Sequence, residues 1–346
     1  MKKFLRKFLL IIGSVILINL LLGLIRLMVD DRNIPYIINQ KENTMVLDYE
    51  KKESFYSEKQ FAVSNLSRDT LYSITKTRDA YGFSNAMENK NPELLFIGDS
   101  YFYDTHISTN EGLQASCNKM LGGNISYNLG SVDNSNFKVY NELLQAKYIT
   151  KPKVIVMEIL EEYLHTWLDL KNQIENNSIK TQNVNYYGLD LVFGNNFSNW
   201  KDSKIFPDNR TLKSGISREI DGETIHFLRG TQKKFSANEI DSLVKVLKYV
   251  QQHFEKQNTK IIFILVPNKE SLYPNLFGKS QFEEIQKSWE NNKIKHINLF
   301  SYFWQNPFQY YFKGDTHWNK NATDLLLRKL YELEEIKSLE RKDILQ

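Results

Sequence analysis

Cysteine is nearly absent. The one cysteine, Cys117, excludes an internal disulfide and a cysteine-rich zinc site, although chains without disulfides also work outside the cytoplasm. Histidine is scarce too, at six residues. Among these, His165, His226, His253 and His296 share no metal-ligand spacing, so no metal centre is expected. A concentrated basic face is also missing. The 45 Lys and Arg are dispersed among 41 Asp and Glu, for a net charge of +4, whereas a nucleic-acid surface gathers its basic residues together. No internal repeat is visible. What the chain does have is apolar mass: 41% of its 346 residues are hydrophobic and 13% aromatic. That is enough for a sizeable core in one large or two modest domains.

The N-terminus carries a marked pattern. Lys2, Lys3, Arg6 and Lys7 precede an apolar run from Phe8 to Ile25, long enough to cross the hydrocarbon layer as a helix. Asn19 is the one strongly polar side chain inside it, and Arg26 can snorkel at its far end. A cleavable signal peptide has a shorter apolar region and an A-x-A-like exit. The pattern therefore predicts an uncleaved anchor: residues 1–30 as cytoplasmic tail and transmembrane segment, with membrane contact through residues 8–29. The basic flank stays cytoplasmic, which places the rest of this single-pass chain outside.

Residues 31–90 are polar and without sustained period, and read as a stem and lead-in. From residue 91 the texture changes to short apolar runs: "LLFIGDS", "ISYNLG" (125–130), "KPKVIVMEIL" (151–160), "TKIIFILVP" (259–267) and "IKHINL" (294–299). Between them, residues 108–121, 136–149, 236–257 and 321–337 space apolar side chains by three and four. Ser236 or Asn238 is the expected cap of the third helix, and Asn321 or Thr323 that of the fourth. Buried strands alternating with amphipathic helices predict an α/β fold with a parallel sheet. The stretch 169–235, rich in Asn, Ser, Asp and Lys, interrupts the alternation and reads as an inserted lobe.

In an open α/β sheet, ligands bind at the carboxyl ends of the strands. Ser100 falls there: Leu94–Ile97 is the strand, Gly98 allows a sharp turn, and Ser100 is expected to start the next helix, whose amides would stabilise developing negative charge. Gly-Asp-Ser alone is common, and by itself is better explained as a helix cap. A serine hydroxyl becomes a nucleophile only when a base takes its proton and a carboxylate holds that base. "YYFKGDTHWNKNA" (310–322) offers both in Asp315 and His317. His106 lies nearer in sequence, but helix geometry would turn it away from Ser100.

These residues resemble the SGNH (GDSL-like) hydrolase superfamily, whose members carry a strand-end G-D-S and a late Asp-x-x-His. "GDTHWN" is similar to the D-T-H-W motif of the SGNH-like polysaccharide O-acetyltransferases of the alginate type, and "ILVPNKESLYP" (264–274) to their strand-to-loop segment. The match covers roughly residues 91–168 and 236–335. It implies a three-layer, flavodoxin-like catalytic domain over 91–346 with the insertion at about 169–235. It also implies Ser100 as nucleophile, His317 as base and Asp315 as its orienter, with the amides of Ser100 and Gly130 as an oxyanion hole. Tyr101, Tyr103 and Trp318 are candidates to stack on sugar rings, and Glu158 is expected to order the pocket or touch substrate. Departures exist: Glu162 stands where the hydrolases have an oxyanion-hole Asn, the spacing is Asp-x-His, and the pair follows the serine, whereas it precedes it in the alginate members. The function implied is a membrane-anchored extracytoplasmic O-acetyltransferase, without cofactor. It would take acetyl from a membrane-bound acyltransferase partner and give it to a polysaccharide hydroxyl. The same three residues would equally serve a carbohydrate esterase. A non-catalytic polysaccharide-binding factor is the third reading.

Overall fold

The computed structural model describes residues 13, 14, 17, 36–39, 44–47, 53–56, 73–76, 79, 83–104, 107–130, 136–145, 147–175, 215–228 and 234–341. The expected membrane segment lies almost wholly outside them. Among the described residues no helix is long and apolar enough to cross a membrane. Within the expected stem, Tyr36–Asn39 pairs with Thr44–Leu47 and Glu53–Tyr56 with Ser73–Lys76, both antiparallel. The low periodicity of that region hid these ladders from sequence reading.

Seven strands matter for the site. They are β1 (Leu94–Ile97), β2 (Ser126–Asn128), β3 (Val154–Leu160), β4 (Gly215–Ile220), β5 (Glu223–Leu228), β6 (Lys260–Val266) and β7 (His296–Ile297). The central sheet runs β7-β6-β3-β1-β2, and every neighbouring pair in it is parallel. Taken in chain order its five strands give the 2-1-3-4-5 arrangement of doubly wound sheets, whose switch point lies between the first and third. All five apolar runs in the sequence become its strands. The residues of β1 and β3 are buried throughout, as strands covered on both faces must be.

Five longer helices flank the sheet: α1 (Leu113–Met120), α2 (Asn136–Gln145), α3 (Ala237–Glu255), α4 (Phe282–Asn291) and α5 (Lys320–Tyr331). Ser236 caps α3 with a full capping box, its side chain meeting the Glu239 amide while Glu239 reaches back. The cap of α5 is Asn319, which accepts from the Asn321 amide, so neither Asn321 nor Thr323 caps that helix. Thr323 is instead buried in it. One contiguous apolar core joins the sheet to these helices. Cys117 lies inside it, fully buried, and burial pushes its thiol up to about 12.

Of the expected insertion, residues 176–214 lie outside the described set. Its last part forms an antiparallel hairpin, β4–β5, closed at Asp221-Gly222 with Ile220 opposite Glu223. Both turn residues have positive φ, 52° and 81°, which suits a two-residue Asp-Gly turn.

Candidate active site

Ser100 stands just past the carboxyl end of β1, where a turn follows in place of the expected helix. The chain makes successive turns over residues 100–104 and regular α-helix begins only at Leu113. The reason is local. Asp104 takes the left-handed conformation, φ 57°, and its carboxylate accepts the Leu113 amide at 2.6 Å. Among the described residues the turn makes one helical-type bond, the Tyr103 amide to the Asp99 carbonyl at 2.9 Å, and does not continue as a regular helix.

The turn is braced from below by Glu158 on β3. One oxygen, Oε2, accepts the amides of both Asp99 and Phe102 at 3.0 Å. A Cβ on Gly98 would meet that same oxygen at 2.3 Å and the Phe102 ring at 2.6 Å, so Gly98 is required by close approach. Glu158 is only 1% exposed. Burial, and then the nearby Asp99 carboxylate, push its pKa well above the usual range, against the two amide bonds.

The Asp315–His317 loop is a tight excursion closed by an antiparallel bridge between Tyr311 and Trp318. The Phe312 amide donates to the His317 carbonyl at 3.1 Å and the Asn319 amide to the Tyr310 carbonyl at 2.8 Å. The Tyr311 hydroxyl ties the base of the loop to the Pro267 carbonyl at 2.7 Å. Within the loop, Asp315 Oδ1 lies 2.9 Å from the His317 amide and 2.5 Å from His317 Nδ1. His317 Nε2 lies 2.9 Å from Ser100 Oγ. Residues 215 or more apart in sequence thus form one continuous relay: carboxylate, imidazole, hydroxyl.

The electrostatics suit a base held near its working range. Burial favours neutral His317, but Asp315, by charge and hydrogen bond, outweighs it, with Asp99 and Glu162 adding to the same side. The net pKa is raised above the ordinary histidine value.

The two expected oxyanion-hole amides have intramolecular acceptors. Ser100 N–H donates to Asp99 Oδ1 at 2.7 Å and Gly130 N–H to Asn128 Oδ1 at 2.8 Å. Gly130 does approach the turn: a Cβ there would meet the Phe102 carbonyl carbon at 2.3 Å and the Tyr103 nitrogen at 2.4 Å. Each amide must exchange its acceptor before it can hold an oxyanion.

The residues expected to touch sugar lie mostly beneath the site. Trp318 is 2% exposed and packs against Tyr101, Phe102 and Phe303, so it presents no face to a sugar. Tyr103 is buried. Tyr101 edges the cleft, but its hydroxyl donates to the Thr316 carbonyl at 3.0 Å and its ring rests on His317. Glu158 holds the turn and does not face a ligand. His106 lies outside the described residues, as does the side chain of His165. His226 meets Ser217, His253 meets Gln257, and His296 meets the Ile294 carbonyl. Among the described residues, no three His, Cys, Asp or Glu side chains converge to hold a metal.

A small cleft opens over the relay, lined by Ser100, Tyr101, Glu162, Asn268, Lys269, Glu270, Thr316 and His317. Three residues of this neighbourhood went unread in the sequence: Lys269, Glu270 and Glu161. Glu161 Oε2 accepts the Asn268 amide at 2.9 Å and the Ser271 hydroxyl at 2.7 Å, pinning the segment after β6. Burial pushes its pKa up to about 7. The signal for them was a cluster of charge directly after a buried strand, which for Lys269 and Glu270 falls inside the quoted segment "ILVPNKESLYP".

No family model matches the chain, and no curated protein does. Among solved structures, the chain is similar to the psychrotrophic esterase EstA from Pseudoalteromonas sp., at 12% identity over 72% of this chain and 98% of that one, with a TM-score of 0.34. It is also similar to the acetyl xylan esterase Est2A from the rumen bacterium Butyrivibrio proteoclasticus, at 12% identity over 76% of this chain and 67% of that one, with a TM-score of 0.30.

Proposed function

We propose that the protein is a serine acyl-ester enzyme that cleaves acyl groups, acetyl first among them, from carbohydrate hydroxyls. The observation that carries this reading is the relay from Asp315 through His317 to Ser100 at the carboxyl end of a parallel sheet. His317 Nε2 takes the Ser100 proton as Oγ attacks the ester carbonyl carbon. The tetrahedral adduct collapses, and the departing alcohol oxygen receives that proton from the imidazolium. Water then gives a proton to His317, attacks acyl-Ser100, and leaves as the carboxylic acid while Ser100 regains its hydrogen. Throughout, Asp315 fixes the tautomer with Nδ1–H toward itself and stabilises the imidazolium.

A second reading replaces that water with a polysaccharide hydroxyl, making the protein an O-acetyltransferase. What favours it is the resemblance of "GDTHWN" to the acetyltransferase motif, together with the apolar run after the basic N-terminus. In that case the catalytic domain lies outside the membrane and a membrane-bound acyltransferase supplies the acetyl group. The two readings differ in the acyl donor, a carbohydrate ester or the membrane-bound acyltransferase, and in whether the acyl-enzyme meets water or sugar first.

The test incubates the full-length chain with an activated acetyl ester, with and without neutral oligosaccharides. Acetate release unchanged by sugar identifies the esterase, and acetylated sugar at the expense of acetate identifies the transferase. No ester turnover under either condition would overturn both.

A further inference from the structure

Lys269 is 1% exposed, and its ammonium donates to four backbone carbonyls. Three belong to the His317 loop: Phe312 at 2.6 Å, Lys313 at 3.0 Å and Asp315 at 2.9 Å. The fourth is His226 on β5, at 2.9 Å. The same hairpin strand touches the loop again, through the His226 amide on the Lys313 carbonyl at 2.9 Å. At the rim, Lys313 pairs with Glu223 at 2.8 Å. Under the ammonium, at 5.3 Å, lies the Phe227 ring.

We infer that Lys269 is a positioning residue for the proposed acyl-ester reaction: its buried ammonium joins the β4–β5 hairpin to the Asp315–His317 loop and sets that loop against Ser100. The inference rests on the acyl-ester reading.

Burying an ammonium is costly, and here every direct partner is a neutral carbonyl. An apolar side chain would fill the space at lower cost if filling were all that was needed. The loop, however, turns three carbonyls inward; that of Lys313 also accepts the His226 amide and that of Phe312 the Asp315 amide at 3.5 Å, but without the ammonium each loses its charge-assisted bond. An ammonium has three N–H donors, so its four acceptors share one of them; it suits carbonyls converging on a point, whereas a guanidinium spreads its five donors in a plane. One of those acceptors is the carbonyl of Asp315 itself, so the position of the carboxylate that orients His317 is tied to Lys269.

The charge acts as well. Groups facing His317 come from each surrounding element: Asp315 on its own loop, Asp99 after β1, Glu162 after β3, and Lys269 and Glu270, which share its cleft, after β6. Lys269 is the cation among them. Burial pulls its ammonium down to about 7, while Asp315 and Glu270 push the other way. In the range where Lys269 is protonated, removing it leaves His317 facing carboxylates, which favours the imidazolium and raises the pH at which the base becomes free.

The experiment compares full-length wild type, Lys269→Met, Lys269→Arg and Ser100→Ala on p-nitrophenyl acetate across pH. In parallel, the downfield proton of the His317–Asp315 hydrogen bond is titrated by NMR, which reads His317 without turnover. The expected result for Lys269→Met is a kcat loss of about 100-fold, the scale of a small misplacement at a reacting centre. Its KM stays nearly unchanged, and both the acid limb and the NMR titration move to higher pH. Lys269→Arg loses kcat but keeps the acid limb in place, because it keeps the charge. A folded Lys269→Met protein with kcat within about threefold of wild type and an unmoved titration would overturn the inference. So would failure of both lysine variants to unfold cooperatively, which would make Lys269 a folding residue. A wild type as silent as Ser100→Ala overturns the acyl-ester reading itself, and the NMR titration then shows separately whether Lys269 governs His317.

Discussion

The histidine that reaches Ser100 comes from a loop more than 200 residues later. Ser100→Ala should therefore abolish ester cleavage by several powers of ten, as removal of a triad nucleophile does, with the thermal midpoint unchanged because a half-exposed hydroxyl contributes little. Retained activity in a pure Ser100→Ala sample would refute the nucleophile assignment. Asp315→Asn should cost less than His317→Ala, and the double variant should be no worse than the single histidine one, since the three act as a unit. Losses that multiply would show independent action. With His317 raised above its ordinary value by the Asp315 pairing, kcat/KM should rise with pH through a value above 6.5, as neutral imidazole replaces imidazolium; a profile flat to pH 5 would exclude His317 as the base. At this scale Ser100, Asp315 and His317 are legible in the sequence only in combination, a strand-end serine with a late Asp-x-His, since each part alone is common. Lys269 is not, because nothing local distinguishes a lysine bound for the interior from the many at the surface.

The elements that present these side chains are held by buried carboxylates. Gly98→Ala drives a methyl group into Glu158 Oε2 and Phe102, so the turn must shift. The expected outcome is a cost of about 1–3 kcal/mol, in line with overpacking, together with loss of activity; a fully active Gly98→Ala protein would show that the turn is not fixed by Glu158. Glu161 gives a pH signature. Its folded pKa of about 7 stands above the ordinary carboxyl value of 4.5, so the fold binds a proton that the unfolded chain releases. The stabilisation from that proton is complete below about pH 4.5 and fades as pH rises to about 7. Glu161→Gln should flatten the fall in melting temperature across that window, and an unaltered slope would place the effect elsewhere. The strands were legible from apolar runs bounded by turn residues, whereas their order was implied only by the flavodoxin-like resemblance. The β4–β5 hairpin was missed even though Asp221-Gly222 marks it, because its flanking residues are mostly polar and it rests on the His317 loop and not on the sheet. The turn at 100–104 was misread as a helix start because one left-handed residue, Asp104, cannot be seen from composition.

For the whole molecule, the proposal separates chemistry from location. All the residues of the relay and of its supports lie beyond residue 90, whereas the apolar run lies before residue 30. If that run anchors the chain beside an acetyl donor, replacing it by a cleavable export signal should leave hydrolysis of a soluble ester unchanged while reducing acetylation of the native polysaccharide in cells, through loss of effective concentration at the bilayer. Equal acetylation by anchored and released forms would remove the membrane partner from the picture. The two-sided burial of the sheet explains why fold class was legible at this scale, and the mixed, unperiodic polarity of residues 31–90 and 169–235 explains why their roles were not. The lone thiol offers something practical. Cys117 is sealed in the core with a pKa near 12, so maleimides and spin labels, which react with accessible thiolate, should pass over it in the folded protein. Two introduced cysteines, one at the exposed tip of the hairpin and one beside the cleft, would then be the labelled sites. Distances between hairpin and cleft could be followed during turnover without first stripping the native sequence of sulfur.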